Sequence, residues 1–145
     1  MIAAVVDTSV LVAGLIGKAD ASPGQIRAAW RDGRFRLIVS PKLISELDTV
    51  LSRPKFDTWA NDGRGSAYVG LIRELGDQHP DPAIAVSELR DPNDEYLVAL
   101  ARLTDADAIV SVDLDLLEAK LDGIAVYRPR AFLDLISAQR AIPKS

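Results

Sequence analysis

Asp7 and Asp113 each close an apolar run, Ala3-Ala4-Val5-Val6 before the first and Ile109-Val110-Ser111-Val112 before the second. A carboxylate at the end of a buried strand emerges at the rim of the core, and open parallel sheets bind ligands beyond the carboxyl ends of their strands. Taken alone, each aspartate is more readily a helix cap or a loop residue. Asp94 is more informative. It falls in the first turn of a helix opened by Asp91-Pro92, where acids favour the positive end of the dipole. A capping pair of Asp91 and Asp94 is one reading. Leu97, Val98 and Ala101 follow at helical spacing, so Asp94 also heads a buried stripe, and an inward carboxylate there caps and ligates at once. Asp91 reads as mostly structural. Glu46 sits at the edge of a helix face made by Leu43, Ile44, Leu47, Val50 and Leu51, where a solvated boundary glutamate is the alternative.

The combination says more than its members. Asp7, Glu46, Asp94 and Asp113 belong to different elements and all fall where strands finish. Two carboxylates ~4 Å apart repel by about 4 kcal/mol at an effective dielectric of 20. Several such pairs rival a domain's whole stability of roughly 5–15 kcal/mol. Such a cluster must share protons or hold a cation, and the cation is the favoured reading. The chain has no cysteine and one histidine, His79, so the ligands on offer are oxygens, which select Mg²⁺ or Mn²⁺ over softer metals.

The elements that must position these acids alternate between short β-rich runs and helices, the pattern of a parallel α/β sheet covered on both faces. The first strand is expected at Ala3 to Asp7, with a helix from about Ser9 to Ile16. Ser22 as N-cap, Pro23 at the first helical position and Gln25 completing a capping box start the next helix, which Gly33 ends. A second strand spans Phe35 to Val39. Ser40 and Pro41 then open a helix to about Ser52, with Pro54 just beyond. Residues 53 to 65 read as a connector and are followed by a helix from about Ser66 to Leu75. A polar stretch, a short strand near Ile84 to Val86 and a strongly apolar helix to about Leu103 come next. Strands at Ala108 to Val112 and Ile124 to Tyr127, and a helix from Pro129 to about Arg140, complete the pattern. The expectation is an α/β fold, a three-layer α/β/α sandwich on a parallel sheet of four to five strands, forming one domain over residues 1–145.

Composition agrees with an ordinary globular protein: 145 residues, 48% hydrophobic and 26% charged. No apolar run is long enough to span a bilayer. The opening run Ile2 to Val6 is too short for a signal peptide and lacks its cationic start, so a cytoplasmic location is expected. The net charge of −4 argues against coating nucleic acid through bulk charge, though not against gripping a few nucleotides locally. Arg53, Lys55 and Arg64 flank Phe56 and Trp59 in the connector, a mixture able to grip phosphates and stack bases. Aromatics packed under the loop with solvated cations is the plainer alternative. A second basic group, Arg27, Arg31, Arg34 and Arg36 around Trp30, reads as an exposed helix face.

The chain resembles the PIN-domain ribonucleases, most closely the VapC-like toxins of toxin–antitoxin pairs. The resemblance runs through Val5-Val6-Asp7-Thr8-Ser9-Val10-Leu11, Ser40-Pro41-Lys42-Leu43-Ile44-Ser45-Glu46-Leu47 and Arg53-Pro54-Lys55-Phe56. It continues in Arg90-Asp91-Pro92-Asn93-Asp94, Ser111-Val112-Asp113-Leu114-Asp115-Leu116-Leu117 and Arg128-Pro129-Arg130-Ala131-Phe132-Leu133. It implies that Asp7, Glu46, Asp94 and Asp113 are the metal-binding acids. Thr8, Ser9 and Ser111 would support them, with Asp91 and Asp115 as neighbouring acids. Ser9 stands where the family usually has Asn, and Ser111-Val112 where it often has Thr-Gly. Both serines still donate a hydrogen bond, while branched Val112 narrows the approach to Asp113.

The resemblance further implies hydrolysis of RNA phosphodiesters with Mg²⁺ or Mn²⁺, a homodimer and a small antitoxin that occludes the acids. Two rivals stand beside it. A PIN-like fold kept as an interaction or RNA-binding module would explain the acidic balance and the two departures. An aspartyl-phosphate phosphatase or phosphoacceptor would need a second acid close to Asp7 and a downstream lysine; here Thr8 and Ser9 follow Asp7, and Lys120 is the only lysine in the final third before the tail.

Overall fold

Ala3–Val6 is apolar and buried at every position, and forms β1 with both faces covered. The chain then turns at Asp7 into α1 (Thr8–Ile16), and α2 (Ser22–Arg31) follows. In α2, Ser22 is already helical and Ala21 is the cap. The Gln25 amide bonds the Asp20 carbonyl at 2.6 Å, so the expected capping box is absent. Pro23 in the first turn supplies the start instead. The end is as expected: Gly33 has φ +71°, and the amides of Gly33 and Arg34 return to the carbonyls of Trp30 and Ala29.

After β2 (Arg36–Val39), Ser40 caps α3 (Pro41–Leu51), its Oγ accepting the Leu43 amide at 3.4 Å. A single 3₁₀ turn spans Pro54–Phe56, and α4 covers Arg64–Leu75. Then come β3 (Asp77–Gln78), α5 (Pro92–Leu103), β4 (Ala108–Val110), α6 (Leu114–Glu118), β5 (Val126–Tyr127) and α7 (Pro129–Ala141). This computed structural model describes residues 1–56, 63–83 and 92–141. The strand expected near Ile84 to Val86 lies outside the described residues, as do Trp59 and Asp91. The third strand of the sheet is Asp77–Gln78, a polar pair on an edge where no apolar run announces it. The short α6 has no counterpart in the sequence reading.

All strand pairs are parallel, in the order β3-β2-β1-β4-β5. Ala4 stands opposite Leu37 on one side of β1 and opposite Ala108 on the other. Helices cover both faces, giving the three-layer α/β/α sandwich. In it α1 packs on α2 and α3, α3 also on α4, α5 on β1 and β4, and α7 on α2 and β5. The core is continuous; Phe132 from α7 is fully buried and meets Phe35 edge-on at 5.0 Å. The second basic group is dispersed by its partners. Arg27 lies over the Tyr68 ring, Arg34 reaches Ser137, and Arg36 pairs with Asp77. Among the described residues no helix is long and apolar enough to cross a membrane.

Candidate functional site

From β1 the chain adds strands to one side, β2 and then β3, before β4 returns to the other side of β1. The order therefore reverses between β1 and β4, and a crevice opens beyond their carboxyl ends, the usual ligand position in such sheets. Asp7 leaves β1 at this point, its amide still bonded to the Val110 carbonyl at 2.9 Å. Asp113 leaves β4 three residues beyond Val110.

The two are joined by Ser111, which is fully buried beneath them. Its hydroxyl donates to Asp7 Oδ2 at 2.9 Å and its oxygen accepts the Asp113 amide at 3.0 Å. Asp7 Oδ1 accepts the Ser9 amide at 3.4 Å, so Asp7 is also the cap of α1. Asp113 Oδ1 accepts the amides of Asp115 and Leu116, at 2.9 and 3.4 Å, and caps α6. Asp94 lies in the first turn of α5 with only 3% of its surface exposed, and half-buried Glu46 comes from the middle of α3. Three of the four acids thus sit at helix starts, where backbone N–H groups and the dipole favour a negative charge. The cap reading and the ligand reading coexist in the same side chains.

All four carboxylates line one open cleft of about 600 Å³. Thr8 and Ser9 line it too, and Val12, Ala13 and Ile16 from α1 with Val50 from α3 form an apolar wall. Arg53, Lys55 and Phe56 close one side, with the Lys55 ammonium 5.0 Å over the Phe56 ring. Val112 is 53% exposed on the rim beside Asp113.

Two expectations need correction. Arg64 is exposed at the first position of α4 and does not line the cleft. The Asp115 carboxylate is exposed outside the cleft, since in the first turn of α6 its backbone N–H turns toward Asp113. The apolar wall from α1 was not anticipated. Its signal, Val12, Ala13 and Ile16 recurring at helical spacing after Asp7, reads equally as core.

The donors are oxygens throughout, which fits a small hard cation. Among the described residues no three His, Asp or Glu side chains stand at the spacing of a closed metal cage. The crowding expected of the four acids is therefore looser than a cage. Mg²⁺ ordinarily keeps several waters and takes only one or two carboxylates together with substrate phosphates. The cleft offers acids together with Arg53 and Lys55 among its lining residues, the set such an arrangement needs.

Against known families, residues 3–115 match the model of the PIN domain, a stretch that contains all four carboxylates, Arg53 and Lys55. No curated protein matches the chain.

Proposed function

Because this chain belongs to the PIN-domain family, a family of nucleases in general, we propose that it is a Mg²⁺- or Mn²⁺-dependent endoribonuclease. One observation carries the reading: Asp7, Glu46, Asp94 and Asp113 share a single cleft at the sheet's switch point with Arg53, Lys55 and Phe56. A divalent cation bound there lowers the pKa of water and neutralises charge on the phosphodiester. Asp7, Asp94 and Asp113 would hold it, one or two of them directly and the rest through its waters, and Glu46 would either join them or orient the attacking water. Ser111 orients the Asp7 carboxylate by donating to Oδ2. Arg53 and Lys55 grip the flanking phosphates, while Phe56 and the apolar wall of α1 take a base. In-line hydrolysis of this kind leaves a 5′-phosphate and a 3′-hydroxyl.

The toxin half of a toxin–antitoxin pair, working as a cytoplasmic homodimer, is the biological setting we propose. The motif resemblance supports it. A small antitoxin would cover the cleft, and the exposed Val112 and Leu114 beside Asp113 provide apolar surface for it. The test is cleavage of single-stranded RNA with Mg²⁺ or Mn²⁺, with excess chelator, and in Asp7→Asn. Cleavage indifferent to both chelator and substitution would mean another enzyme in the preparation.

A second reading, a PIN-like module without catalysis, draws on the looser spacing of the acids among the described residues. It requires that Mn²⁺ leave the protein's melting temperature unchanged. A phosphoacceptor is disfavoured, since Lys120 is exposed beyond α6 and does not line the cleft.

A further inference from the structure

Tyr96 stands two residues after Asp94 on α5 and is almost wholly buried, yet its hydroxyl is bonded on both sides. One partner is the Oγ of Ser40, the cap of the helix that carries Glu46. The other is Asp81 Oδ1 at 2.6 Å. Chemistry fixes the direction of each proton. An ionised carboxylate only accepts, so Tyr96 donates its single proton to Asp81. Ser40 must then donate to the Tyr96 oxygen, while its own oxygen accepts the Leu43 amide at 3.4 Å. Asp81 Oδ1 also accepts the Lys42 amide at 3.0 Å, and the Lys42 ammonium lies 4.6 Å over the Tyr96 ring. The result is one polarised chain running from the first turn of α3, through Tyr96, and back to α3.

We infer that Tyr96 is a positioning residue that sets the separation of Glu46 and Asp94, by tying the start of α3 to the start of α5 through Ser40 and Asp81. The inference rests on the nuclease reading above and goes on to say what holds that site in register. The two helices have their main packing partners elsewhere, α3 on α1 and α4, and α5 on β1 and β4. A working metal site needs its ligands held to about 0.5 Å, which calls for direct bonds between the elements that carry them.

Tyr96→Phe keeps the ring, its packing and the Lys42 contact, and removes only the oxygen. The deciding readout is Mn²⁺ affinity by calorimetry on the full chain. The tie predicts a folded variant by circular dichroism whose affinity is weaker by about tenfold or more, the range seen when groups that orient metal ligands are lost. Turnover of RNA should fall in kcat with KM unchanged. A folded Tyr96→Phe protein that binds Mn²⁺ as tightly as wild type overturns the inference and leaves the nuclease reading standing. A wild type that neither binds Mn²⁺ nor cleaves RNA removes both. Should Tyr96→Phe fail to fold, Asp81→Ala at the exposed end of the chain decides. A smaller loss of affinity supports the tie, and an unchanged affinity overturns it.

Discussion

The Ser111 hydroxyl donates to Asp7 Oδ2 at 2.9 Å while its oxygen accepts the Asp113 amide at 3.0 Å, so one buried side chain ties the Asp7 carboxylate to the backbone of Asp113. Both ends of the bond sit at the β1/β4 switch point, where each strand is buried along its length. Ser111→Ala removes the bond and leaves a fold of the same shape. Mn²⁺ affinity or kcat should then fall by about 10–100-fold, as is usual for groups that orient metal ligands. Calorimetry and single-turnover cleavage measure the two. A Ser111→Ala protein with wild-type values of both would mean that Asp7 needs no anchor.

Arg53 and Lys55 line the cleft and Arg64 does not, which separates three cations that lie close together in sequence. Arg53→Ala and Lys55→Ala should each raise KM for RNA with little change in kcat. Each should also flatten the salt dependence of binding by about 0.7 in log–log slope, the release of one counterion from a single strand. Arg64→Ala should change neither. Equal losses from all three substitutions would place the RNA along α4 rather than in the cleft.

Burial pushes the Tyr96 hydroxyl up to about 12 from its ordinary value of 10.0, with the Asp81 bond adding to the shift. Burial likewise raises Tyr68, whose hydroxyl donates to the Leu11 carbonyl at 2.9 Å, although the nearby Arg27 charge opposes the rise. A phenol raised in the folded state contributes stability that is whole below about pH 10 and is lost as the pH climbs through the folded value. Absorbance at the phenolate band should therefore show at most one of the three tyrosines ionised near pH 11 while the protein remains folded. Full ionisation of all three in folded protein at that pH would contradict the burial of these two hydroxyls.

Much of the sheet was legible in the chain because its central strands are unbroken apolar runs ended by an acid. Ala3–Val6 ends at Asp7 as expected, while the strand expected to reach Val112 stops at Val110, where Ser111 gives its hydroxyl to Asp7. Asp94 was legible because its carboxylate heads a stripe of Leu97, Val98 and Ala101 that must face the core. What stayed hidden has a common cause. Asp77–Gln78 joins the sheet at an edge as a two-residue polar pair, so no apolar side-chain pattern announces it. Leu114–Glu118 is too short for helical periodicity to register. Arg64 and Asp115 have the residue types of their neighbours in the site, and only the fold shows that neither lines the cleft. The Ser40–Tyr96–Asp81 chain joins residues 56 and 15 positions apart, and nothing local announces it.

The central claim is that carboxylates from β1, α3, α5 and β4 act together on one divalent cation. Mn²⁺ titration of the wild type beside the Asp7→Asn/Asp94→Asn double variant tests it most directly. The account predicts saturable binding to the wild type, with a matching rise in melting temperature, and its loss in a double variant that stays folded. Equal binding to both proteins, or none to the wild type, would contradict it.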